Sequence, residues 1–133
     1  MKNRPMLTLE DCRKITAAAE AEARKNNWNV CIAILDDGGH LLHLARMDGA
    51  SPANARIAIE KGRTAAETRR STAIWQERVA KRPELLMMPH VTPVQGGLPI
   101  VAEGTCVGAV GISGVQSHED EQVAAAGLKA LTG

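Results

Sequence analysis

The chain opens with a stretch in which apolar residues recur every three or four positions. They are Cys12, Ile15, Ala19 and Ala23, and the charged residues lie mostly away from them. This spacing predicts an amphipathic helix over residues 8–26, buried along one stripe. At its start Thr8 stands three residues before Asp11, a variant of the capping box that satisfies free backbone N–H groups.

The next segment changes to a strand pattern. Residues 30–35 form a nearly continuous apolar run with β-branched side chains, which favours a buried strand. The sequence DDGG at 36–39 is strong turn chemistry, because glycine accepts a positive φ without steric cost. Residues 40–46 then return as a second strand, so the two segments predict a β-hairpin.

Two further helices are predicted in the middle of the chain. Ser51 is a good N-cap and Pro52 suits the first helical position, so a helix should run from here to about residue 69. Ser71 can cap a shorter helix, which should end before Pro83.

The C-terminal part combines a loop, a strand pair and a helix. Residues 83–97 hold three prolines and a glycine pair, and long irregular loops of this kind often carry function. Residues 98–103 and 106–113 have the pattern of two strands joined by a tight turn. Ser117 is predicted to cap the last helix, with Asp120 completing a second capping box.

The order of these elements, α-β-β-α-α-loop-β-β-α, bounds the fold class. Both strand pairs are joined by short turns, so the sheet must be mainly antiparallel. We therefore predict an α+β layered fold, with residues 1–133 forming a single domain that is not a Rossmann unit. The glycines at 104, 108 and 111 match neither the dinucleotide fingerprint nor a P-loop with its lysine.

Composition argues against several function classes. The 16 basic and 15 acidic residues nearly cancel, and Trp28 and Trp75 are the only aromatic side chains, so no nucleic-acid partner is expected. No window approaches the roughly 18 apolar residues of a membrane span. The N-terminus lacks the apolar segment of a secretory signal, and the three cysteines have no metal-type spacing, which predicts a reducing, cytoplasmic location.

The amino-acid composition available for the core favours self-association. Without Phe and Tyr, packing must rest on Ala, Val, Ile, Leu and Met, and small side chains bury little area each. A symmetric oligomer buries more surface, so we expect a homo-oligomer.

Five segments, taken in order, resemble one family of small assembling proteins. They are LTLEDCRKITAAAEAEA, ILDDGGHLLHLARMDGA, ARIAIEKGRTAAE, TPVQGGLPI and GTCVGAVGISGVQSHEDEQVAAAGLKAL, which together run from about residue 7 to residue 131. In this combination the chain resembles the GlcG/HbpS family. The resemblance implies a profilin-like α/β/α sandwich with a five-stranded, mainly antiparallel sheet. It also implies symmetric assembly, often to octamers, and genes placed in catabolic operons.

The same resemblance implies haem as a cofactor, because relatives such as HbpS and the PduO-type C-terminal domain bind haem. Haem-binding relatives place an iron-ligating histidine on the first helix, whereas residues 8–26 of this chain contain no histidine. His, Met and Cys elsewhere remain available as axial ligands, and tyrosine is absent from the sequence. The GlcG side of the resemblance is therefore the better matched one.

Several polar residues are candidates for binding an anionic small molecule. Lys61 falls near the apolar stripe of its helix, and Arg46 and Asp48 lie just upstream, so the three can form a ligand-binding cluster. The interpretation favoured for this cluster is a structural ion pair between loop and helix. Further candidate ligand-binding residues share an exposed backbone or a loop position: Gly96, Gly97, Ser113 and His90.

A metal site is a second possibility. His118 and Glu119 begin the last helix, and together with His90 they supply metal-ligating atoms. The plainer explanation for Glu119 is its favourable interaction with the helix N-terminus. His40 and His43 are three apart on a strand, which puts them on opposite faces, so they cannot chelate one metal, and His43 is expected to be partly buried.

These observations leave three hypotheses. The leading one is a small, cytoplasmic, homo-oligomeric binding protein that holds a small-molecule ligand, with haem or another tetrapyrrole as the candidate. The alternative is an accessory enzyme or binding protein for a small carboxylate or aromatic metabolite, in which Lys61, Asp48 and His90 contact the substrate. The third is a structural scaffold without a ligand.

Overall fold

A computed structural model describes residues 1–132 as four helices, four strands and one short 3₁₀ helix. The helices are α1 (Leu9–Lys25), α2 (Pro52–Thr68), α3 (Thr72–Lys81) and α4 (Ser117–Thr132). The strands are β1 (Cys31–Asp36), β2 (Leu41–Arg46), β3 (Gly97–Ala102) and β4 (Thr105–Ser113), and the 3₁₀ helix is Pro83–Met87. The helices and strands predicted from the sequence are thus confirmed to within a residue or two.

The four strands form one antiparallel sheet in the order β2-β1-β4-β3. The prediction of a mainly antiparallel sheet is confirmed. The fifth strand implied by the family resemblance is wrong for residues 1–132, in which the sheet has four strands. Strands β2 and β3 are therefore the edges of the sheet.

Helices cover both faces of the sheet. On one face α1 and α4 pack against alternate residues of the central strands, which are Ile32, Ile34, Val110 and Ile112. On the other face α2 packs against the remaining residues of β1, which are Cys31, Ala33 and Leu35. The result is three layers, with the sheet buried between apolar helix faces.

Helix α2 lies very close to the sheet, which explains how a core without large aromatic side chains packs well. A Cβ added to Gly111 of β4 would lie 2.0 Å from the carbonyl oxygen of Ala58 on α2. Ala65 and Ala66, about two turns further along α2, are fully buried near the same strand. Only small residues permit this approach of backbone to backbone.

The caps of the helices agree with the sequence in part. At α1 the Thr8 hydroxyl accepts from the Asp11 N–H at 3.1 Å, and Asp11 accepts from the Thr8 N–H at 2.8 Å, so the capping box is confirmed. At α4 the predicted box is wrong, because Glu119 accepts from the Gln116 N–H at 3.1 Å and Asp120 is buried. Asp120 points into the core, on the face that carries the apolar residues of α4.

Lys61 of α2 and Asp120 of α4 meet in an ion pair between the two faces of the sheet. The Lys61 Nζ lies 2.8 Å from Oδ2 of Asp120 and donates to the Ile112 carbonyl of β4 at 3.0 Å. The second carboxylate oxygen, Oδ1, accepts from the Val115 N–H at 3.1 Å. Both charged side chains are 2 % exposed. The ion pair expected for Lys61 is present, but its partner lies on the last helix and not in the upstream loop.

Burial raises the pKa of Asp120 above its ordinary value, and the hydrogen bond and positive charge of Lys61 act in the opposite direction. The carboxylate and the ammonium therefore depend on each other, because neither has water as a substitute partner.

No helix within residues 1–132 has both the length and the apolar character needed to cross a membrane. The cytoplasmic location stays a prediction.

We expect Lys61→Met to lower the free energy of unfolding by about 3–5 kcal/mol, because it leaves a buried carboxylate without its counter-charge. In this variant the folded protein binds a proton at Asp120 more readily than the unfolded chain does. Its stability should thus be highest in acid and should be lost as the pH rises through the raised pKa of Asp120. Urea denaturation at mildly acidic and at neutral pH measures both effects.

The matched control is the double variant Lys61→Met/Asp120→Leu. It should recover most of the lost stability and remove the added pH dependence, because well-packed apolar residues often replace a buried ion pair at little cost. A double variant as unstable as the single one would contradict this account of the pair.

Candidate functional site

Four of the predicted ligand-binding residues gather where β3 begins and β4 ends: Lys61, Gly96, Gly97 and Ser113. The two glycines lie against Lys61 itself. A Cβ on Gly96 would lie 2.8 Å from the Lys61 Nζ, and a Cβ on Gly97 would lie 2.3 Å from the Lys61 carbonyl oxygen. The glycine pair therefore makes room for α2 and its lysine, and it is not an open cradle for a ligand.

The anion cluster of Arg46, Asp48 and Lys61 is not formed. Lys61 is buried and bonded to Asp120, so an anion from solvent cannot reach its ammonium group. Arg46 and Asp48 are exposed at the end of β2 and in the turn after it. Within residues 1–132 neither side chain makes a hydrogen bond or an ion pair with Lys61.

Ser113 belongs to a row of side chains across the sheet. Cys31 is in register with both Arg46 and Ser113, so the three share the face that α2 covers. The Ser113 hydroxyl, 5 % exposed, donates to Oδ1 of Asn54 on α2 at 2.8 Å. Burial raises the pKa of the Cys31 thiol, and the Arg46 charge opposes that shift. Ser113 therefore connects β4 to α2 by a hydrogen bond, and Arg46 is exposed at the end of β2.

His90 lies far from the other predicted metal ligands. It has a φ of 61° and lines an open groove of about 400 Å³ with the hairpin turn and α2. The other residues of this groove are Gly38, Gly39, His40, Leu41, Arg63 and Glu67. This turn follows the end of β1, whereas His118 and Glu119 follow β4, whose last residue pairs with the first residue of β1.

The predicted metal set of His90, His118 and Glu119 is therefore wrong. His90 lies near the last residue of strand β1, whereas His118 and Glu119 lie near its first residue. The part of the chain that the structure describes, residues 1–132, holds no group of three or more His, Cys, Asp or Glu side chains that could bind a metal ion.

A second groove, of about 410 Å³, lies between α1 and the edge strand β2. We call it the α1–β2 groove. Its lining residues come from one side of α1, with a single residue from β2: Arg13, Thr16, Ala17, Glu20, Ala21, Arg24 and His43. The alanines form a shallow apolar floor, and the two arginines lie at either end of it, eleven residues and about 16 Å apart along the helix.

His43 is half-buried, whereas the other three histidines are exposed. It pairs with Ile34, so its side chain lies on the face covered by α1, and it is half-buried as the sequence predicts. Its Nδ1 is 3.2 Å from the Thr16 hydroxyl. Within residues 1–132, Nε2 makes no hydrogen bond.

The charges of the α1–β2 groove are uneven. Arg24 is paired with Glu20, with Nε 2.9 Å from Oε2, whereas Arg13 has no ion-pair partner within residues 1–132. The groove thus offers an apolar floor, one imidazole nitrogen and a free guanidinium. This combination suits a flat, largely apolar molecule that carries carboxylates and a metal ion, which the imidazole nitrogen could ligate.

The comparison with known proteins agrees with the fold. The chain matches the family model described as "Haem degrading protein HbpS-like" over residues 7–129. It is 46 % identical over 114 residues to Protein GlcG of Escherichia coli (strain K12), which covers 85 % of each sequence.

Solved structures show the same architecture. HbpS has a TM-score of 0.91 and 33 % identity, with 98 % of this chain and 94 % of that chain covered. The PduOC–haem complex has a TM-score of 0.86 and 24 % identity, with 95 % of each chain covered, and shows the shared fold alone.

We expect Gly97→Ala to lower the free energy of unfolding of the ligand-free protein by about 3 kcal/mol, because the added methyl group meets the backbone of α2. Gly104→Ala is the control. It has no atom within 4 Å of its Cβ, and only its φ of +74° opposes alanine, at about 1–2 kcal/mol. Thermal unfolding of both variants measures the difference. Equal losses would restore the open-cradle interpretation of the glycine pair.

Proposed function

The chain belongs to the HbpS-like family, and on that premise we propose that it is a small homo-oligomeric protein that binds haem or another tetrapyrrole. The observation that carries the proposal is the α1–β2 groove. Its alanine floor, the half-buried His43 and Arg13, which has no ion-pair partner within residues 1–132, match the apolar macrocycle, the central metal and the carboxylates of such a ligand.

The relatives support the choice of ligand. The family description names haem degradation, and the PduOC domain is described in complex with haem. This chain differs from the expected helix-histidine pattern because α1 contains no histidine, so the groove has to supply a ligand from another element.

Self-association is the second part of the proposal. Strand β2 is an edge of the sheet and carries three exposed leucines, Leu41, Leu42 and Leu44, at 47 %, 39 % and 37 % exposure. An apolar edge of this kind favours pairing with another chain. A neighbouring subunit would also cover the side of a flat ligand that the open groove leaves in solvent.

A small carboxylate or aromatic metabolite is the alternative ligand. The specific observation in its favour is the groove at the hairpin turn, where His90 and His40 lie with Arg63, whose guanidinium is paired with Glu60. Imidazole and guanidinium groups recognise carboxylates by charge-assisted hydrogen bonds. This version of the hypothesis no longer includes Lys61, which is buried.

Titration of the apo-protein with haemin tests the proposed function. We expect a shifted Soret band that saturates at one haemin per chain or per pair of chains. The absence of a Soret shift and of saturation would overturn haem binding. In parallel, glycolate, lactate and aromatic acids should leave the melting temperature unchanged, because only a ligand that binds the native state raises it. A stabilising carboxylate would favour the alternative instead.

Size-exclusion chromatography with light scattering tests self-association. We expect a defined multiple of 14.1 kDa, with an octamer as the assembly that the family resemblance predicts. Leu44→Glu should dissociate it, because the charge falls on the exposed edge strand, whereas Glu84→Gln in the 3₁₀ helix should not. A monomer in the wild-type protein would contradict the proposal.

A further inference from the structure

We propose that His43 would ligate the iron of a haem bound to this chain, held in place by Thr16, so that strand β2 supplies the ligand that α1 lacks. The inference rests on the proposed function and names the residue that would carry it out. It uses the geometry of the α1–β2 groove and not the histidine pattern of the relatives.

The imidazole of His43 lies beside the apolar part of the groove. His43 lies on the side of β2 that α1 covers, and its ring lines the groove next to Ala17 and Ala21. The groove therefore places the His43 ring on the same surface as the alanine floor.

A contact with Thr16 fixes the orientation of the His43 ring. The Thr16 hydroxyl is 3.2 Å from Nδ1, and Thr16 is itself 8 % exposed and anchored on the inner side of α1. A hydrogen bond at one ring nitrogen of a ligating histidine fixes the ring and leaves the other nitrogen for the metal. Nε2 is therefore the nitrogen left to bind a metal, and Thr16 is a positioning residue.

The other three histidines lack this combination of features. His40, His90 and His118 are exposed. His40 is also held by Asp36, with Nδ1 3.1 Å from Oδ1. His118 lies at the start of α4 and lines neither of the two grooves described above. His43 alone combines partial burial, a fixed ring and an adjoining apolar surface.

Arg13 completes the site. It is exposed at one end of the alanine floor and has no ion-pair partner within residues 1–132, whereas Arg24 at the other end is engaged by Glu20. A guanidinium in this state can bind a propionate carboxylate by a charge-assisted hydrogen bond. The site therefore has one metal ligand and one anion contact, on neighbouring elements.

The experiment compares His43→Gln and His43→Ala with the matched control His118→Ala. Each variant is titrated with haemin and, separately, with metal-free protoporphyrin IX. We expect both His43 variants to weaken haemin binding about 10-fold or more and to change the position of the Soret band, with little effect on protoporphyrin IX. His118→Ala should behave as wild type with both ligands. Unchanged far-UV circular dichroism shows that the His43 variants are folded.

A second pair of variants tests the role of Thr16. Thr16→Val removes the hydroxyl at nearly constant volume and should weaken haemin binding about 10-fold, whereas Thr16→Ser keeps the hydroxyl and should retain most of the affinity. A structural role for Thr16 alone would lower stability in both variants without separating their haemin affinities.

The outcomes separate the two claims. If wild type binds haemin but the His43 variants bind it unchanged, the ligand assignment is overturned and the proposed function stands. The assignment also fails if the His43 variants lose haemin and protoporphyrin IX equally, because His43 would then act by packing. If wild type fails to bind haemin at all, both the proposed function and the assignment fail.

Discussion

The buried ion pair between Lys61 and Asp120 is the contact on which the arrangement of the layers depends. It joins α2 on one face of the sheet to α4 on the other, and it does so at the end of β4 through the Ile112 carbonyl. A buried pair gives little net stability after its charges leave water, but a displaced partner is costly. The pair therefore specifies how the layers fit, and the glycines at 96 and 97 are required because Lys61 occupies the space beside them.

Because Lys61 is engaged in this ion pair, the candidate ligand site lies at the surface and not in the core. The residues around Lys61 are closed by mutual contacts, and within residues 1–132 no buried side-chain nitrogen or oxygen lacks a hydrogen-bond partner. The α1–β2 groove differs from this core, because it lies beside an edge strand and holds an imidazole with one nitrogen engaged. It also holds the Arg13 guanidinium, which has no ion-pair partner in the described part of the chain, residues 1–132. The same strand, β2, borders this groove and carries the exposed leucines, so the proposed ligand site and the proposed subunit contact share one element.

The candidate site is predictable from the sequence only in part. A lysine near an apolar stripe needs a partner, which makes Lys61 conspicuous, but that partner lies 59 residues away along the chain. The sequence does carry a signal for it: Asp120 shares a helical face with Val123, Ala124 and Gly127, which points it inward. The metal set is wrong because sequence distance says nothing about which end of the sheet a loop reaches. The half-burial of His43 is predictable, while its groove is not, because helix α1 is needed to form it.

The sequence by itself determined the helices and strands, the antiparallel pairing and the family, because these follow from local periodicity, turn chemistry and motifs that are contiguous in the chain. The alternation of side chains along β1 also made two buried faces predictable. The tertiary structure alone decided which helix covers which face, which acid neutralises Lys61 and which histidine meets an open groove. Those choices depend on contacts between residues far apart in sequence, where packing and the cost of burying charge select one arrangement.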